Sequence, residues 1–366
     1  MLTTFCLLAL GVSTLATTSG VIVVNLIPSK NALRPLESFL SYSIELSSLV
    51  DYAGNLSSPN TYFDNLLENI ASYAGNKPYV RVGGSTQDLT LFDESQEPAV
   101  IQYFAAANPD YPANETIGPA FFESYQTWPG TRFSHGFNLA YNSTSSREAL
   151  LRSVPYACRA LRGNLNVWEL GNEPDFYAAT VAGPTPARGS DWNETLYIGE
   201  WLEWPRKIHD QMRSACPDLA KSDSFQLMAP SFASNPQFSK MQVATTFADG
   251  LNTDQDISYL ALHNYMGARG QPGITLQGTL MNHTNTKVKV QQLLAIFNPA
   301  QALSGSLKPN GPTIVGEGNS LARQGIGGVS NSFGAALWGA GFGLQLIANG
   351  IGRWHMHQGT NYRYQA

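Results

Sequence analysis

Two carboxylates in similar turns are the residues of this chain whose placement suggests catalysis. Glu173 lies in WELGNEP (168–174) and Glu317 in TIVGEGNS (313–320), each after a short apolar run. Two such groups facing one bond suit glycoside hydrolysis, in which one gives a proton to the leaving oxygen and the other attacks the sugar carbon. We assign Glu173 as the acid/base and Glu317 as the nucleophile, and a retaining reaction then requires them about 5–5.5 Å apart. Taken alone, either glutamate is more often a solvated or arginine-paired group at a strand end.

The two glutamates are far apart in sequence, so only the fold can bring them together. Helix patterns alternate with eight apolar, β-branched or aromatic runs, and this alternation predicts a parallel sheet. Eight such units favour a closed (β/α)8 TIM barrel over a doubly wound open sheet, and a barrel places its active site at the carboxyl ends of the strands. Glu173 ends the fourth predicted strand and Glu317 the seventh. The predicted strands are 39–46, 77–85, 131–139, 166–173, 225–232, 257–265, 312–320 and 352–359.

Cap signals define one of the predicted helices closely. In STSSREALLRSVPYACRALRG (143–163), Ser145 or Ser146 is the predicted N-cap and Gly163 the stop signal. A second apolar run, 333–350, is Gly-rich and contains polar residues, so we predict a buried helix rather than a membrane span.

The first thirty residues divide into two predicted segments. Residues 1–19 have an apolar stretch followed by small residues, which predicts a signal peptide. Residues 20–30 contain VIVVNLIP, a strand pattern that precedes the first barrel strand and must pair in a sheet elsewhere. The catalytic barrel is then 31–366, and because the sequence stops just past the eighth strand, we expect that an accessory C-terminal β-domain has been lost.

Composition narrows the classes of partner. The chain is 43% hydrophobic and only 13% charged, which predicts a large core, and its net charge of -5 argues against nucleic acid or anionic membranes as partners. Cys158 and Cys216 remain after the predicted signal peptide, and they can pair in an oxidising compartment. Five glycosylation sequons also favour secretion to the extracellular space. Their asparagines are Asn55, Asn114, Asn142, Asn193 and Asn282.

Five motifs, in order along the chain, resemble the fungal β-glucuronidase branch of glycoside hydrolase family 79, a retaining group that includes heparanase. The motifs are YVRVGGSTQD (79–88), WELGNEPDFY (168–177), ALHNY (261–265), VGEGNS (315–320) and GVSNSFGAALW…HQGTNYRY (328–338 and 357–364). The resemblance covers most of the chain. It implies a secreted exo-β-glucuronidase acting on glucuronate or its 4-O-methyl form. It also implies a β-sandwich built from an N-terminal strand and a C-terminal segment.

The resemblance assigns roles to three further residues. Asn172 would bond the sugar 2-hydroxyl, Tyr265 would hold an oxygen of Glu317, and Arg81 would keep Glu317 ionised. A core tyrosine with a satisfied hydroxyl and a structural ion pair are the alternatives for Tyr265 and Arg81. A histidine in the position of His263 is more often packed in the core than a ligand, so His263 is a second-rank candidate for the site.

A glucuronate pocket also needs donors for the sugar's carboxylate. The residues expected there are Arg323, Gln324, Gly325, Gln358 and Tyr362. Related enzymes carry a tyrosine in the seventh loop, where this chain has Ala322 and Arg323. Arg323 offers a bidentate partner for the acid group instead, with a solvated loop arginine as the alternative.

The sequence also suggests a possible metal site and two other functions. The HMH triplet places His355 and His357 on one face of a strand, as metal sites sometimes do, but no other ligands cluster with them, and we expect neither metal nor cofactor. The expected substrate class is carbohydrate. An endo-acting, heparanase-like hydrolase and an inactive or truncated carbohydrate-binding relative are the alternatives to the exo-glucuronidase.

Overall fold

The chain divides into two units, Met1–Ala32 and Leu33–Ala366, and the second carries the fold described here. The computed structural model describes residues 32–106, 108–179, 186–303, 312–360 and 362–364. The predicted signal peptide and the predicted strand within 20–30 lie outside the described residues.

Eight parallel strands close into a barrel, as the sequence predicts. Around the ring the order is β1, β2, β6, β7, β8, β9, β10 and β11, and β11 pairs back onto β1. Each predicted strand has its counterpart, so the TIM-barrel prediction is confirmed and the open sheet is excluded. The strands, numbered along the chain, are β1 (Leu40–Glu45), β2 (Val80–Gly83), β3 (Thr90–Phe92), β4 (Val100–Ala105), β5 (Asn108–Ile117), β6 (Phe133–Phe137), β7 (Leu165–Leu170), β8 (Leu227–Phe232), β9 (Ile257–Ala268), β10 (Thr313–Ala322) and β11 (Arg353–Gln358).

The helices occupy the connections between barrel strands. They are α1 (Leu49–Ala53), α2 (Thr61–Ala74), α3 (Thr144–Ala160), α4 (Glu194–Ala215), α5 (Val243–Ala248), α6 (His283–Leu303) and α7 (Phe333–Ala348). Helix α7 is the apolar run, and its Trp338 and Phe342 pack on Trp354 of β11 with ring centroids 5.8 and 5.1 Å away. Within the described residues, no helix combines the length and apolar character that a membrane crossing needs.

The N-cap predicted for α3 was wrong by two or three residues. Ser143 has an extended backbone, and its hydroxyl accepts from the backbone N–H of Ser146 at 3.2 Å. Both later serines are already helical, and so neither is placed to cap the helix. Gly163 follows the last turn with a positive φ of 89°, in keeping with a stop signal.

A small sheet, formed by the segment of the chain that connects β2 to β6, was not predicted. Its strand order is β3–β5–β4, and β5 runs parallel to β3 and antiparallel to β4. The sequence of β5, NPDYPANETI, contains two prolines and few apolar residues, so it lacks the alternation by which a strand is recognised. The sheet matters for the site because Tyr111 of β5 donates from its hydroxyl to Glu45 of β1 at 3.2 Å.

The interior of the barrel has an apolar layer beneath a charged one. Val167, Met228, Ala261 and Ile314 pack together from four successive strands. Glu169 lies two residues after Val167 on β7, and side chains two apart on a strand share a face. The same spacing places charged groups on the barrel axis, closer to the carboxyl ends of the strands.

A disulfide joins two of the surrounding helices. Cys158 of α3 and Cys216, the residue at the end of α4, are bonded with an S–S distance of 2.03 Å. The bond links the helices that follow β6 and β7, and these two strands lead into the loops beside Glu173.

Candidate active site

Glu173 and Glu317 converge at one end of the barrel. Glu317 projects from β10 and is 6% exposed, while Glu173 follows β7 in a left-handed conformation with φ 48°. Non-glycine residues held at such φ values concentrate at functional sites. One carboxylate oxygen of each glutamate and one ring nitrogen of His263 all lie within 4.8 Å of one another.

Glu317 is surrounded by donors and positive charge. Its Oε1 accepts from the Tyr265 hydroxyl at 2.8 Å, and its Oε2 accepts from Arg81 Nη1 at 2.7 Å. The Nδ1 atoms of His263 and His357 lie 3.8 and 3.7 Å from the same Oε2. Burial alone would raise the pKa of Glu317, but His357, His263 and Arg81 outweigh it and hold the pKa far below its ordinary value. The residue is therefore an anion.

Arg81 of β2 binds two of the acids of the site, Glu169 and Glu317. Besides Glu317, its guanidinium donates to Glu169 Oε2 at 2.7 Å, to Ser43 Oγ at 3.0 Å and to Asn172 Oδ1 at 2.9 Å. Burial lowers the pKa of Arg81, yet the charges of Glu169 and Glu317 more than offset this, so the arginine stays charged. Gly83 leaves room for it, because a Cβ there would lie 2.4 Å from Arg81 Nε.

Glu173 has a different environment from Glu317. Its side chain is 15% exposed, and its Oε1 lies 3.0 Å from His263 Nδ1. Burial lowers the pKa of His263, but the charge of Glu317 and the hydrogen bond to Glu173 raise it above its ordinary value. Asp175 lies nearby, and burial together with the charge of Glu173 raises its pKa to about 7. The site thus combines one deeply held anion with a second, more accessible carboxyl group.

Three carboxyl groups of the site were missed by sequence reasoning, and His357, which was considered only as a metal ligand, also lies there. Glu169 is buried on β7 and accepts from Ser231 Oγ at 2.6 Å as well as from Arg81. Glu45, the last residue of β1, accepts from Thr86 N at 3.0 Å and lies 3.2 Å from His357 Nε2. The third is Asp88. The available signal was their type: a charged residue within or just after an apolar strand is unusual in a chain so poor in charge.

The predicted sugar-binding residues lie near this cluster to different degrees. Tyr362 donates from its hydroxyl to Glu45 Oε1 at 2.5 Å, which brings it to the site. Gln358 is the last residue of β11 and is half-buried. Arg323, Gln324 and Gly325 follow β10 with three successive positive φ values of 59°, 68° and 70°.

Within this loop the three side chains differ in exposure. Arg323 is exposed, and in the described part of the chain its guanidinium makes no hydrogen bond or ion pair. Gln324 is buried, and its Oε1 has no partner among the described residues. The loop therefore offers an exposed guanidinium and, among the described residues, one unpaired amide oxygen.

The three atoms clustered from Glu173, His263 and Glu317 have a spacing that could also hold a metal ion. Arg81 already lies 2.7 Å from Glu317 Oε2, so a divalent cation would have to bind beside a guanidinium. His355 and His357 are engaged elsewhere, with Val315 O at 3.3 Å and Ser43 Oγ at 3.0 Å. The donor set fits a pair of catalytic acids better than a metal centre.

The predicted glycosylation sites lie at the surface. Four of the five asparagines are exposed, and Asn55 is half-buried. Asn193 also caps α4, since its Oδ1 accepts from Leu196 N at 3.1 Å. A glycan is attached through Nδ2, so modification leaves that capping oxygen in place. Glycosylation stays a prediction.

Comparison with curated proteins finds two similar fungal sequences. The chain is 47% identical over 341 residues to a β-glucuronidase of Aspergillus niger, which covers 92% of this chain and 61% of that protein. It is 46% identical over 332 residues to a β-glucuronidase of Neurospora crassa, covering 90% and 58%. The chain therefore spans about three fifths of the length of these relatives. No protein-family model matches it.

Solved structures show the same barrel. A 4-O-α-L-rhamnosyl-β-D-glucuronidase of Fusarium oxysporum, in complex with Rha-GlcA, superposes with a TM-score of 0.71 at 25% identity, covering 92% of this chain and 67% of that one. A family 51 α-L-arabinofuranosidase of Bifidobacterium longum superposes at 0.57 with 11% identity over 89% and 68%, which supports the fold alone.

Proposed function

We propose that this chain carries the catalytic barrel of a retaining exo-β-glucuronidase of glycoside hydrolase family 79. The observation that carries the proposal is the approach of Glu173 and Glu317, with carboxylate oxygens within 4.8 Å. Retaining glycosidases hold their carboxyl groups about 5–5.5 Å apart, whereas inverting enzymes need about 6.5–9.5 Å to admit a water. The similarity to two fungal β-glucuronidases supports the sugar specificity.

In the first step, Glu317 attacks the anomeric carbon. The electron pair comes from its ionised carboxylate, and the bond to the leaving oxygen breaks as Glu173 supplies a proton. Arg81 and Tyr265 orient the attacking group through opposite carboxylate oxygens, at 2.7 and 2.8 Å. The products of this step are the free alcohol and a glucuronosyl ester on Glu317.

In the second step, water hydrolyses that ester. Glu173, now ionised, removes a proton from the water, which attacks the anomeric carbon from the side that the leaving group vacated. Glu317 departs as a carboxylate, and its hydrogen bonds from Arg81 and Tyr265 stabilise the returning charge. Two inversions restore the β configuration of the released glucuronate.

The neighbouring amide and loop supply substrate contacts. Asn172 Oδ1 accepts a hydrogen bond from Arg81 Nη2, so Asn172 Nδ2 is the donor left for the sugar 2-hydroxyl. The carboxylate of glucuronate is bound by the loop after β10, where the exposed guanidinium of Arg323 forms a bidentate pair. Gln324, Gly325 and Tyr362 complete this pocket, and Gln358 contributes from the end of β11.

We propose secretion on independent grounds. The Cys158–Cys216 disulfide suits an oxidising compartment, and the surface position of the five sequons suits glycosylation there. The leader-like composition of residues 1–19 agrees with export.

The test is turnover of aryl glycosides by secreted protein and two variants. The wild type should hydrolyse an aryl β-glucuronide in preference to the glucoside and xyloside, and proton NMR should detect β-glucuronic acid before mutarotation. Glu317→Gln should abolish turnover. Glu173→Ala should lose most of it and recover part with azide, because a small anion can attack without base assistance. Glu203→Gln, a change on the exposed face of α4, is the matched control.

Three results would refute the proposal. Full activity in either active-site variant would remove the assigned roles. First appearance of the α anomer would exclude retention. Internal cleavage of a glucuronate-containing polymer, with no release of single glucuronate residues, would favour the endo-acting alternative.

A further inference from the structure

Asp88 is a buried carboxylate near the site that the proposed chemistry does not use. It lies in the short turn after β2, within Ser85–Leu89, and is 6% exposed. Its Oδ1 accepts from Leu139 N at 3.0 Å and Ala140 N at 3.3 Å. Its Oδ2 accepts from Asn172 N at 2.8 Å and the Tyr177 hydroxyl at 2.7 Å. One side chain therefore satisfies four donors.

These four donors come from two different loops. Leu139 and Ala140 follow β6, whereas Asn172 and Tyr177 follow β7, so Asp88 ties three consecutive barrel loops at one point. The loops pack closely there. A Cβ on Gly171 would lie 2.6 Å from the Tyr177 hydroxyl and 2.9 Å from Leu139 Cβ, and Gly171 has a positive φ of 76°. The N–H of Gly171 donates to Phe137 O at 2.9 Å and that of Glu173 to Ser231 O at 3.1 Å, and the Asn172 N–H between them donates to Asp88.

We propose that Asp88 is a positioning residue for the Asn172–Glu173 half of the active site. This inference rests on the function proposed above. Asp88 fixes the peptide at Asn172, and the 2-hydroxyl donor, Asn172, and the acid/base, Glu173, both project from this segment. Glu317 is held instead by Arg81 and Tyr265. Arg81 also donates to the side chain of Asn172, whereas the backbone N–H of Asn172 donates to Asp88.

Replacement of Asp88 by asparagine tests this role. The amide keeps one oxygen and gains a donor, so one of the two donor pairs must face an N–H group. If the oxygen stays with Leu139 and Ala140, the Asn172 N–H loses its acceptor. If the amide turns over, the loop after β6 loses both of its bonds. In either case the loops separate, and a displacement of about 1 Å at a catalytic group can cost about 100-fold in rate.

The diagnostic readout is the dependence of rate on the leaving group. A poor leaving group needs a well-placed acid, whereas an activated aryl group departs without one. Asp88→Asn should therefore reduce kcat/KM for both substrates through the displaced Asn172, and about tenfold more for an unactivated aryl β-glucuronide than for an activated one through the displaced Glu173. Azide should accelerate its turnover of the activated substrate. In a Glu173→Ala background the same substitution should add no leaving-group sensitivity, because the group it positions is absent.

Two further variants guard against a trivial folding defect. Asp88→Glu keeps the charge but moves the carboxylate by one methylene, and it should show the same selective loss. Asp256→Asn changes a half-buried aspartate just before β9, at the opposite end of the barrel, and should leave the leaving-group dependence unchanged. An equal loss on both substrates in Asp88→Asn and Asp88→Glu would overturn the proposal.

A crystal structure of Asp88→Asn tests the placement without turnover. The proposal predicts that Asn172 and Glu173 shift while the Arg81–Glu317 contact is retained, and an unshifted Glu173 would contradict it. If the wild type itself fails to hydrolyse glucuronides, the proposed function is wrong. The structural result then still decides whether Asp88 positions this loop.

Discussion

Replacing Tyr265 by phenylalanine separates the two steps of the proposed reaction. The substitution keeps the ring and removes only the hydroxyl, which lies 2.8 Å from Glu317 Oε1. Among the described residues this hydroxyl is the sole hydrogen-bond donor to Oε1, whereas Oε2 keeps its bond from Arg81. In the variant Glu317 therefore stays ionised and keeps the hydrogen bond from Arg81 but not the one from Tyr265.

The direction of charge flow decides which step is affected. In the first step Glu317 loses its negative charge as the ester forms, so the hydrogen bond from Tyr265 weakens as the reaction proceeds. Removing that hydrogen bond therefore changes the rate of the first step little. In the second step the carboxylate is re-formed and the bond strengthens. A hydrogen bond to a charged group contributes about 1.5–3 kcal/mol. Since about 1.4 kcal/mol corresponds to a factor of ten, breakdown of the intermediate should slow roughly 10- to 150-fold.

Pre-steady-state kinetics with an activated aryl β-glucuronide measures this. We expect a burst of phenol equal to the enzyme concentration, a kcat reduced by that factor, and a kcat/KM that changes less than fivefold. Tyr73→Phe, at an exposed position of α2, is the matched control. A parallel fall in kcat and kcat/KM without a burst, or no change at all, would show that Tyr265 does not support the departing carboxylate.

Three further predictions concern stability and specificity. Replacing Cys158 and Cys216 by alanine should lower the free energy of unfolding by about 4 kcal/mol, because the disulfide closes a loop with a separation of 58 residues, and an unchanged denaturation midpoint would contradict this. Burial raises the pKa of Glu115 to about 8, so its contribution to stability is complete below its ordinary pKa of 4.5 and is lost as pH rises towards 8. Glu115→Gln should therefore gain in Tm relative to wild type across that interval, and a constant difference would refute the assignment. Arg323→Ala should raise KM for an aryl β-glucuronide about tenfold and leave any weak glucosidase activity unchanged, whereas an equal effect on both would make Arg323 a solvated loop residue.

The barrel and its two acids were predictable because the signals are local. Each barrel strand is a short apolar or β-branched run. In β7 the run leads to Glu173 in the turn after the strand, whereas Glu317 lies within β10 rather than in the predicted turn, because β10 continues to Ala322. The rule that barrel sites lie at the carboxyl ends of strands then brings Glu173 and Glu317 together. His263 was ranked too low, because nothing in ALHNY reveals that its ring lies beside both acids.

The remaining parts of the site depend on contacts between distant segments. Asp88 receives its hydrogen bonds from residues 51 to 89 positions away, and Glu45 lies beside His357, 312 positions away. No pattern near either carboxylate indicates such partners. The sheet of β3, β4 and β5 was missed for a different reason. Its proline-containing, polar segment β5 forms a strand only because it pairs with β3 and β4, and no local pattern predicts that pairing.

Trapping the covalent intermediate tests the central claim most directly. A 2-deoxy-2-fluoro-β-glucuronosyl fluoride should form a long-lived ester, because the fluorine slows both steps while the fluoride leaves readily. We expect one label per active enzyme, located by peptide mass spectrometry on Glu317, with parallel loss of activity. A label on Glu173 or elsewhere, or continued turnover with no label at all, would contradict the assignment of the two acids.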